Sequence, residues 1–204
     1  MSYFEGKFAL VTGAGSGIGR ALAIELNRLG CHVWLSDINK TSLNETARYL
    51  TNQNANHKTR IVDSASRSSI EALASEINND IGYLDIVINN AGVGLGATFE
   101  EMAIEDFEWL MNINFWGVVY GCKAFLPLVK RAKIGHIVNI SSVFGMVSLP
   151  TVSAYNASKF AVRGFTESLR QELGRTSVHV CCVHPGGIDT NIALNSRGTI
   201  NEMS

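Results

Sequence analysis

Short β-branched runs alternate with longer amphipathic stretches along this chain, and that alternation admits few folds. Phe8–Thr12, His32–Asp37, Thr59–Asp63, Leu84–Asn89, His136–Ile140 and Val178–Val183 read as strands covered on both faces. Helical patterns run between them, over about Ile18–Leu29, Ser69–Asn79, Ile104–Arg131 and Ala154–Leu173. A further helix opens at Ser42 with a capping box to Glu45, and Gly174 stands where the last helix needs a C-cap. The alternation predicts an α/β fold, a parallel, doubly wound sheet with right-handed crossovers. No repeat, linker or low-complexity segment divides residues 1–204, which predicts one domain.

Bulk properties narrow the partners. The formal net charge of −1, without a basic stripe or an acidic tail, argues against nucleic acid and against a membrane surface. No apolar run approaches the ~18 residues of a span, and the first glycine comes too early for a signal-peptide core. Cys31, Cys122, Cys181 and Cys182 form no CxxC pair, and the histidines show no metal-ligand spacing. Free thiols and no targeting segment predict a cytoplasmic protein without a metal. Cys181 and Cys182 read as packing thiols of a core strand.

The chemistry is spaced along the strand ends. The first strand runs into TGAGSGIGR, residues 12–20, where glycines permit positive φ and close approach of a pyrophosphate to a helix N-terminus. Asp37 ends the second strand, where a carboxylate can hold a ribose diol. Asp63 ends the third and is a candidate for an adenine amine; the NNAG run at 89–92 ends the fourth. Farther on, Tyr155 and Lys159 stand one helical turn apart, and Ser142 precedes them. An ammonium beside a phenol favours the phenolate, which lowers the phenol pKa from its usual ~10. Such a phenol suits proton transfer to and from a reacting oxygen. A solvated aspartate, turn-forming asparagines and an exposed tyrosine–lysine pair are the plain alternatives for each motif taken singly.

Taken in order, TGxxxGxG at 12–19, NNAG at 89–92, Asn114 in MNINFWG, Ser142, YxxxK at 155–159 and HPGGIDT at 184–190 resemble the short-chain dehydrogenase/reductase family over nearly the whole chain. The resemblance implies a Rossmann-type sheet of seven strands, a nicotinamide dinucleotide and carbonyl–alcohol interconversion. It implies Tyr155 as acid/base, Lys159 on the nicotinamide ribose, Ser142 on the substrate oxygen, and Asn114 holding a water that leads from Lys159 to solvent. Gly13, Ser16, Ile18 and Gly19 would take the pyrophosphate end. Asn90, Ala91 and Gly92 would take the adenosine side, and Pro185, Gly186, Ile188 and Thr190 the nicotinamide. Asp37 points to NAD rather than NADP, because it would repel a ribose phosphate.

The expected substrate is a small apolar alcohol or ketone, with Phe144, Met146, Val147 and Leu149 as pocket candidates that would equally serve the core or a subunit contact. A stripe of Ala157, Phe160, Ala161, Gly164, Phe165, Ser168 and Leu169, with Trp109–Leu128, is expected to form a homodimer or homotetramer through the two long helices. The polar run to Ser204 predicts a chain that lacks the family's C-terminal strand and helix. A non-catalytic NAD-binding scaffold on the same fold is the alternative function.

Overall fold

A computed structural model describes residues 2–188 and 196–198. The strands are β1 (Phe8–Thr12), β2 (His32–Asp37), β3 (His57–Ile61), β4 (Ile86–Asn89), β5 (Leu95–Gly96), β6 (Gly135–Ile140), β7 (Val178–Val183) and β8 (Arg197–Gly198). The helices are α1 (Gly17–Arg28), α2 (Lys40–Arg48), α3 (Arg67–Asp80), α4 (Ile104–Met111), α5 (Gly117–Val129) and α6 (Ser153–Glu172). Six strands pair in parallel in the order β3-β2-β1-β4-β6-β7, and β5 pairs with β8 in a separate two-stranded ladder. The main sheet thus has one strand fewer among the described residues than the resemblance implies.

Alternation along the strands makes two apolar layers. Leu10, Trp34, Val87, Ile137 and Val180 point to one face, under α3, α5 and α6. Ala9, Val11, Val33, Leu35, Ile86 and Ile88 point to the other, where Ala23 and Leu26 of α1 and Leu43 of α2 close the layer. Each fully buried aliphatic side chain stabilises the sheet by roughly 1.5–3 kcal/mol. The order reverses at β1, which pairs with β2 on one side and with β4 on the other. The carboxyl ends of these strands therefore flank a crevice at the switch point.

Several sequence expectations are corrected. The third strand is His57–Ile61, not Thr59–Asp63, and it lies at an edge with exposed residues rather than covered on both faces. Its ladder stops where the Val62 amide reaches the Asp37 carbonyl, and Asp63 folds into a turn by accepting from the Ala65 amide. The Ser42–Glu45 capping box does not form. Asn39 caps α2 by accepting from the Ser42 amide, and Glu45 instead pairs with Arg20. Gly174 is not a left-handed cap; α6 ends at Leu173. Cys181 is exposed and Cys182 half-buried, because β7 is the other edge among the described residues. Leu169 faces the core rather than the outer stripe of α6.

The helical run expected over Ile104–Arg131 is interrupted. Asn112–Trp116 forms a π-turn between α4 and α5, closed by the Gly117 amide on the Asn112 carbonyl. Asn114, fully buried, sits inside it. Extra residues in a turn of this kind re-aim one side chain, and such turns are frequent at functional sites.

Candidate active site

The crevice is a cleft of ≈ 500 Å³ that runs from Gly13 and Asp37, past Asp63 and Asn90–Gly92, to Ser142, Tyr155, Lys159, Pro185 and Ile188. Its floor is the glycine turn after β1. Gly13 has φ +64, and a Cβ there would stand 2.8 Å from the Ala91 Cα. A Cβ on Gly19 would meet the Asn90 side-chain amide and the Gly13 carbonyl. Only glycine lets α1 start this close to β4. The Thr12 hydroxyl accepts from the amides of Asn90 and Ala91, and the Asn90 side chain donates to the Thr12 and Gly13 carbonyls. The two strand ends are thereby bolted together under Ser16 and Ile18, which also line the cleft.

At the far end, Asp37 accepts from the Gly15 amide through Oδ2 and from the Asn39 amide through Oδ1, both at 2.9 Å. Arg20 is turned onto the Gly15 carbonyl, Thr46 and Glu45. Three features fit a dinucleotide: a glycine-floored start to α1, a carboxylate at the end of β2 and an elongated cleft.

At the other end three elements converge. Ser142 follows β6 with an extended backbone, its hydroxyl accepts from the Phe144 amide at 3.2 Å, and it lines the cleft together with Tyr155. Tyr155 and Lys159 project from the first turns of α6, with the Lys159 ammonium 5.4 Å from the Tyr155 ring centroid. Lys159 is buried, and Nζ donates to the Ile140 carbonyl at 3.1 Å. The Ser141 hydroxyl donates to the Lys159 carbonyl, fixing the helix against the strand end. Gly92 opens the space between these groups: a Cβ there would lie 3.3 Å from Asn114 Oδ1 and 3.6 Å from Lys159 Nζ.

The electrostatics differ from the simple expectation. Burial pushes the Tyr155 phenol up, and its hydrogen bond with Ser142 draws it back down. The Lys159 ammonium donates to the Ile140 carbonyl and lies over the ring of Tyr155 rather than at its hydroxyl. Burial also pushes the Lys159 ammonium down to about 8. Tyrosine and lysine are therefore both held nearer neutrality than free side chains, a common arrangement at sites of proton transfer.

Of the residues singled out in the sequence, the cleft gathers Gly13, Ser16, Ile18, Asp37, Asp63, Asn90, Ala91, Gly92, Ser142, Tyr155, Lys159, Pro185, Gly186 and Ile188. Gly19 lies beneath it, and Asn114 behind it. Thr190 is outside the described residues. The sequence reading included Thr12 and His184 in its motifs without giving either a role, and it did not single out Ser141. Thr12 carried a further signal, a hydroxyl closing an apolar strand before glycine. The part His184 plays rests on a distant contact: its Nδ1 lies 3.0 Å from the Ser142 carbonyl, across forty-two positions.

The family model described as short chain dehydrogenase matches residues 7–201. A Mycobacterium tuberculosis protein named as an oxidoreductase, SadH, is 48% identical over 198 residues, 96% of this chain and 72% of that protein. The dehydrogenase/reductase SDR family member 7B of Mus musculus is 37% identical over 96% of this chain and 62% of its own length. Among solved structures, a short chain dehydrogenase/reductase from Burkholderia phymatum in complex with NAD superimposes with a TM-score of 0.90 at 35% identity, over 96% of this chain and 70% of that one. Levodione reductase does so with a TM-score of 0.90 at 30% identity, over 94% and 76%.

Proposed function

Because this chain belongs to the short-chain dehydrogenase family and is a nicotinamide-dependent oxidoreductase, we propose that it interconverts a secondary alcohol and a ketone by hydride transfer with NAD. The observation that carries this reading is the convergence of Ser142, Tyr155 and buried Lys159 on one end of the cleft.

In the oxidation, Ser142 donates to the substrate oxygen and holds it against Tyr155. Tyr155, whose phenolate the positive charge of a bound oxidised nicotinamide would favour against the pull of burial, takes the hydroxyl proton on its oxygen as the carbinol carbon loses hydride and the C–O bond becomes C=O. The nicotinamide group, when bound, accepts that hydride with its electron pair, and supplies it in the reverse direction. Lys159, whose Nζ has N–H groups beyond the one given to Ile140, would hold the ribose hydroxyls and pass the proton on. Asn114 holds a water on the route to solvent. Gly13, Ser16, Ile18 and Gly19 seat the pyrophosphate, Asp63 and Asn90–Gly92 the adenosine, and Pro185, Gly186, Ile188 and Thr190 the nicotinamide. Asp37 binds the adenosine ribose diol, and NAD is preferred over NADP because Arg20 is already engaged by Glu45 and Gly15.

Exposed Trp116 and Phe160, on the π-turn and α6, support a homodimer or homotetramer through the long helices. No helix among the described residues is long and apolar enough to cross a membrane. The four free cysteines support a cytoplasmic location.

The test is Tyr155→Phe with NAD and a panel of secondary alcohols. The substitution keeps the ring and removes the proton, so kcat should fall by ~10²–10⁴ with NADH affinity nearly unchanged. Near-normal turnover by the variant would overturn the assignment.

A further inference from the structure

The loop between Ser142 and α6 displays more apolar surface than packing requires. Met146, Val147 and Leu149 are 54%, 58% and 52% exposed. Phe144, at the root of the loop, sets its ring edge-on to Tyr155 with centroids 6.2 Å apart. The loop is nevertheless held at several points. Gly145 packs so tightly on α6 that a Cβ would lie 2.7 Å from the Lys159 carbonyl. Asn156, itself buried, donates from Nδ2 to the Leu149 carbonyl at 3.0 Å. The Ala97 amide donates to the Thr151 carbonyl at 2.8 Å. Thr151, a β-branched residue, has φ +65, a conformation that costs about 1–3 kcal/mol and persists only where surroundings impose it.

A loop pinned in this way, with three large aliphatic side chains in water, is ordered for contact with something apolar. Its root, Phe144, packs against Tyr155, so the loop stands beside the reaction site, just outside the lining of the cleft. Val143–Val152 contains no ionisable side chain. Lys159 is the single cation among the described residues lining the cleft, and it donates to Ile140. A carboxylate or phosphate on the substrate would find no partner here.

We propose that Met146, Val147 and Leu149 form an apolar lip that takes the hydrocarbon arm of an uncharged substrate, so that the enzyme selects neutral ketones and secondary alcohols bearing an extended aliphatic or aryl chain. This rests on the reaction proposed above and adds the class of substrate to it.

The test uses the full chain with NADH and the straight-chain methyl ketones from 2-butanone to 2-decanone, beside oxo acids of equal length. In a second arm, calorimetry measures binding of straight-chain primary amides, which present a carbonyl that is not reduced. The lip predicts that kcat/KM and amide affinity rise about two- to fourfold per methylene until the lip is covered. Oxo acids should lag the ketones by at least about tenfold, since the charge loses water without gaining a partner. Met146→Ser/Leu149→Ser should flatten both slopes, with Val147→Ser as an independent variant should the double one fold poorly.

A flat series, a slope that survives the variants, or equal use of oxo acids overturns the lip. A retained slope with a changed oligomeric state would mean that the surface is a contact between copies. Amide affinity that climbs with chain length, without turnover of any ketone, would retain the lip and overturn the reaction. Turnover without chain-length dependence would do the reverse.

Discussion

The side chain of Asn114 holds both backbone polar groups of Val93: Oδ1 accepts from the Val93 amide at 2.8 Å, and Nδ2 donates to the Val93 carbonyl at 3.0 Å. The same Nδ2 reaches the Ser158 hydroxyl at 3.3 Å. One amide in the π-turn thereby brackets the chain leaving β4 and the helix that bears Tyr155 and Lys159. Asn114→Ala should leave the part-buried Val93 amide and carbonyl without their partner, at about 1–3 kcal/mol of stability, and lower kcat more than it raises KM for the cofactor. Thermal melts and steady-state kinetics on the same preparation measure both. Wild-type kcat in a destabilised Asn114→Ala would confine the residue to structure.

Asp37→Ser should lower kcat/KM with NAD and raise it with NADP. At ~4 Å and an effective dielectric of ~20, a carboxylate and a ribose phosphate repel by up to ~4 kcal/mol. Screening leaves ~2–3 kcal/mol, or ~30–150-fold in affinity. Because Asp37 also holds the Gly15 and Asn39 amides, the loss with NAD should exceed the gain with NADP. The ratio of kcat/KM values with one common alcohol decides it. Wild-type protein that uses both cofactors equally would show that Asp37 does not read the ribose.

The depressed Lys159 ammonium makes a pH prediction with a fixed sign. Burial holds its pKa at about 8 in the folded chain, against 10.5 for a solvated lysine. Between those values the unfolded chain binds the extra proton, so this residue's contribution to stability rises with pH across that window. Below pH 8 the cost of burying the charge is fully present. Lys159→Met abolishes this dependence. The stability of wild type relative to the variant should therefore climb from pH 8 to 10.5, by on the order of 3 kcal/mol in total. The comparison must be between the two proteins, because Cys31 and Cys122, pushed up to about 12 by burial, make both less stable at alkaline pH. A wild type–variant difference that does not move with pH would mean that the ammonium is not buried as described.

His184 offers a test of how Ser142 is held. Its ring nitrogen meets the Ser142 carbonyl, and the Val143 amide donates to the Pro185 carbonyl beside it. These two bonds tie the strand end that carries the serine to the Pro185–Gly186 segment. His184→Ala should reduce kcat/KM by roughly 2- to 13-fold, the net worth of one hydrogen bond of ~0.5–1.5 kcal/mol. His184→Asn, which keeps a side-chain N–H donor, should recover part of it. An asparagine variant no better than alanine would mean that ring packing, rather than the bond, is what matters.

The features legible in the sequence were those that local rules dictate. Runs such as Ala9–Val11 and Ile86–Ile88 are apolar because both faces of the sheet are covered, so the central strands and their order of appearance could be read directly. The glycine turn, Asp37 and the Tyr155–Lys159 spacing were legible for the same reason, and the cleft brings them together. What could not be read depends on distant partners. The π-turn at Asn112–Trp116 looks like uninterrupted helix until Val93 and Ser158 are placed against Asn114. The end of β3 follows from the Val62 amide reaching the Asp37 carbonyl, which no pattern in residues 57–63 encodes. The burial that pushes the Tyr155 phenol up comes from elements far along the chain and is not written in the spacing of Tyr155 and Lys159.

The reversal of strand order at β1 also bears on how the molecule comes together in time. Strands β1, β2 and β3 are neighbours in sequence and can pair early, whereas the cleft exists only once β4 has closed on the far side of β1. The Ser142–Tyr155 end waits longer still, for β6 and α6. Closing such long loops makes non-local pairing the slow step of folding. A chain emerging from the ribosome with its N-terminus first therefore completes the half that carries the glycine turn and Asp37 before the half that carries Ser142, Tyr155 and Lys159 exists.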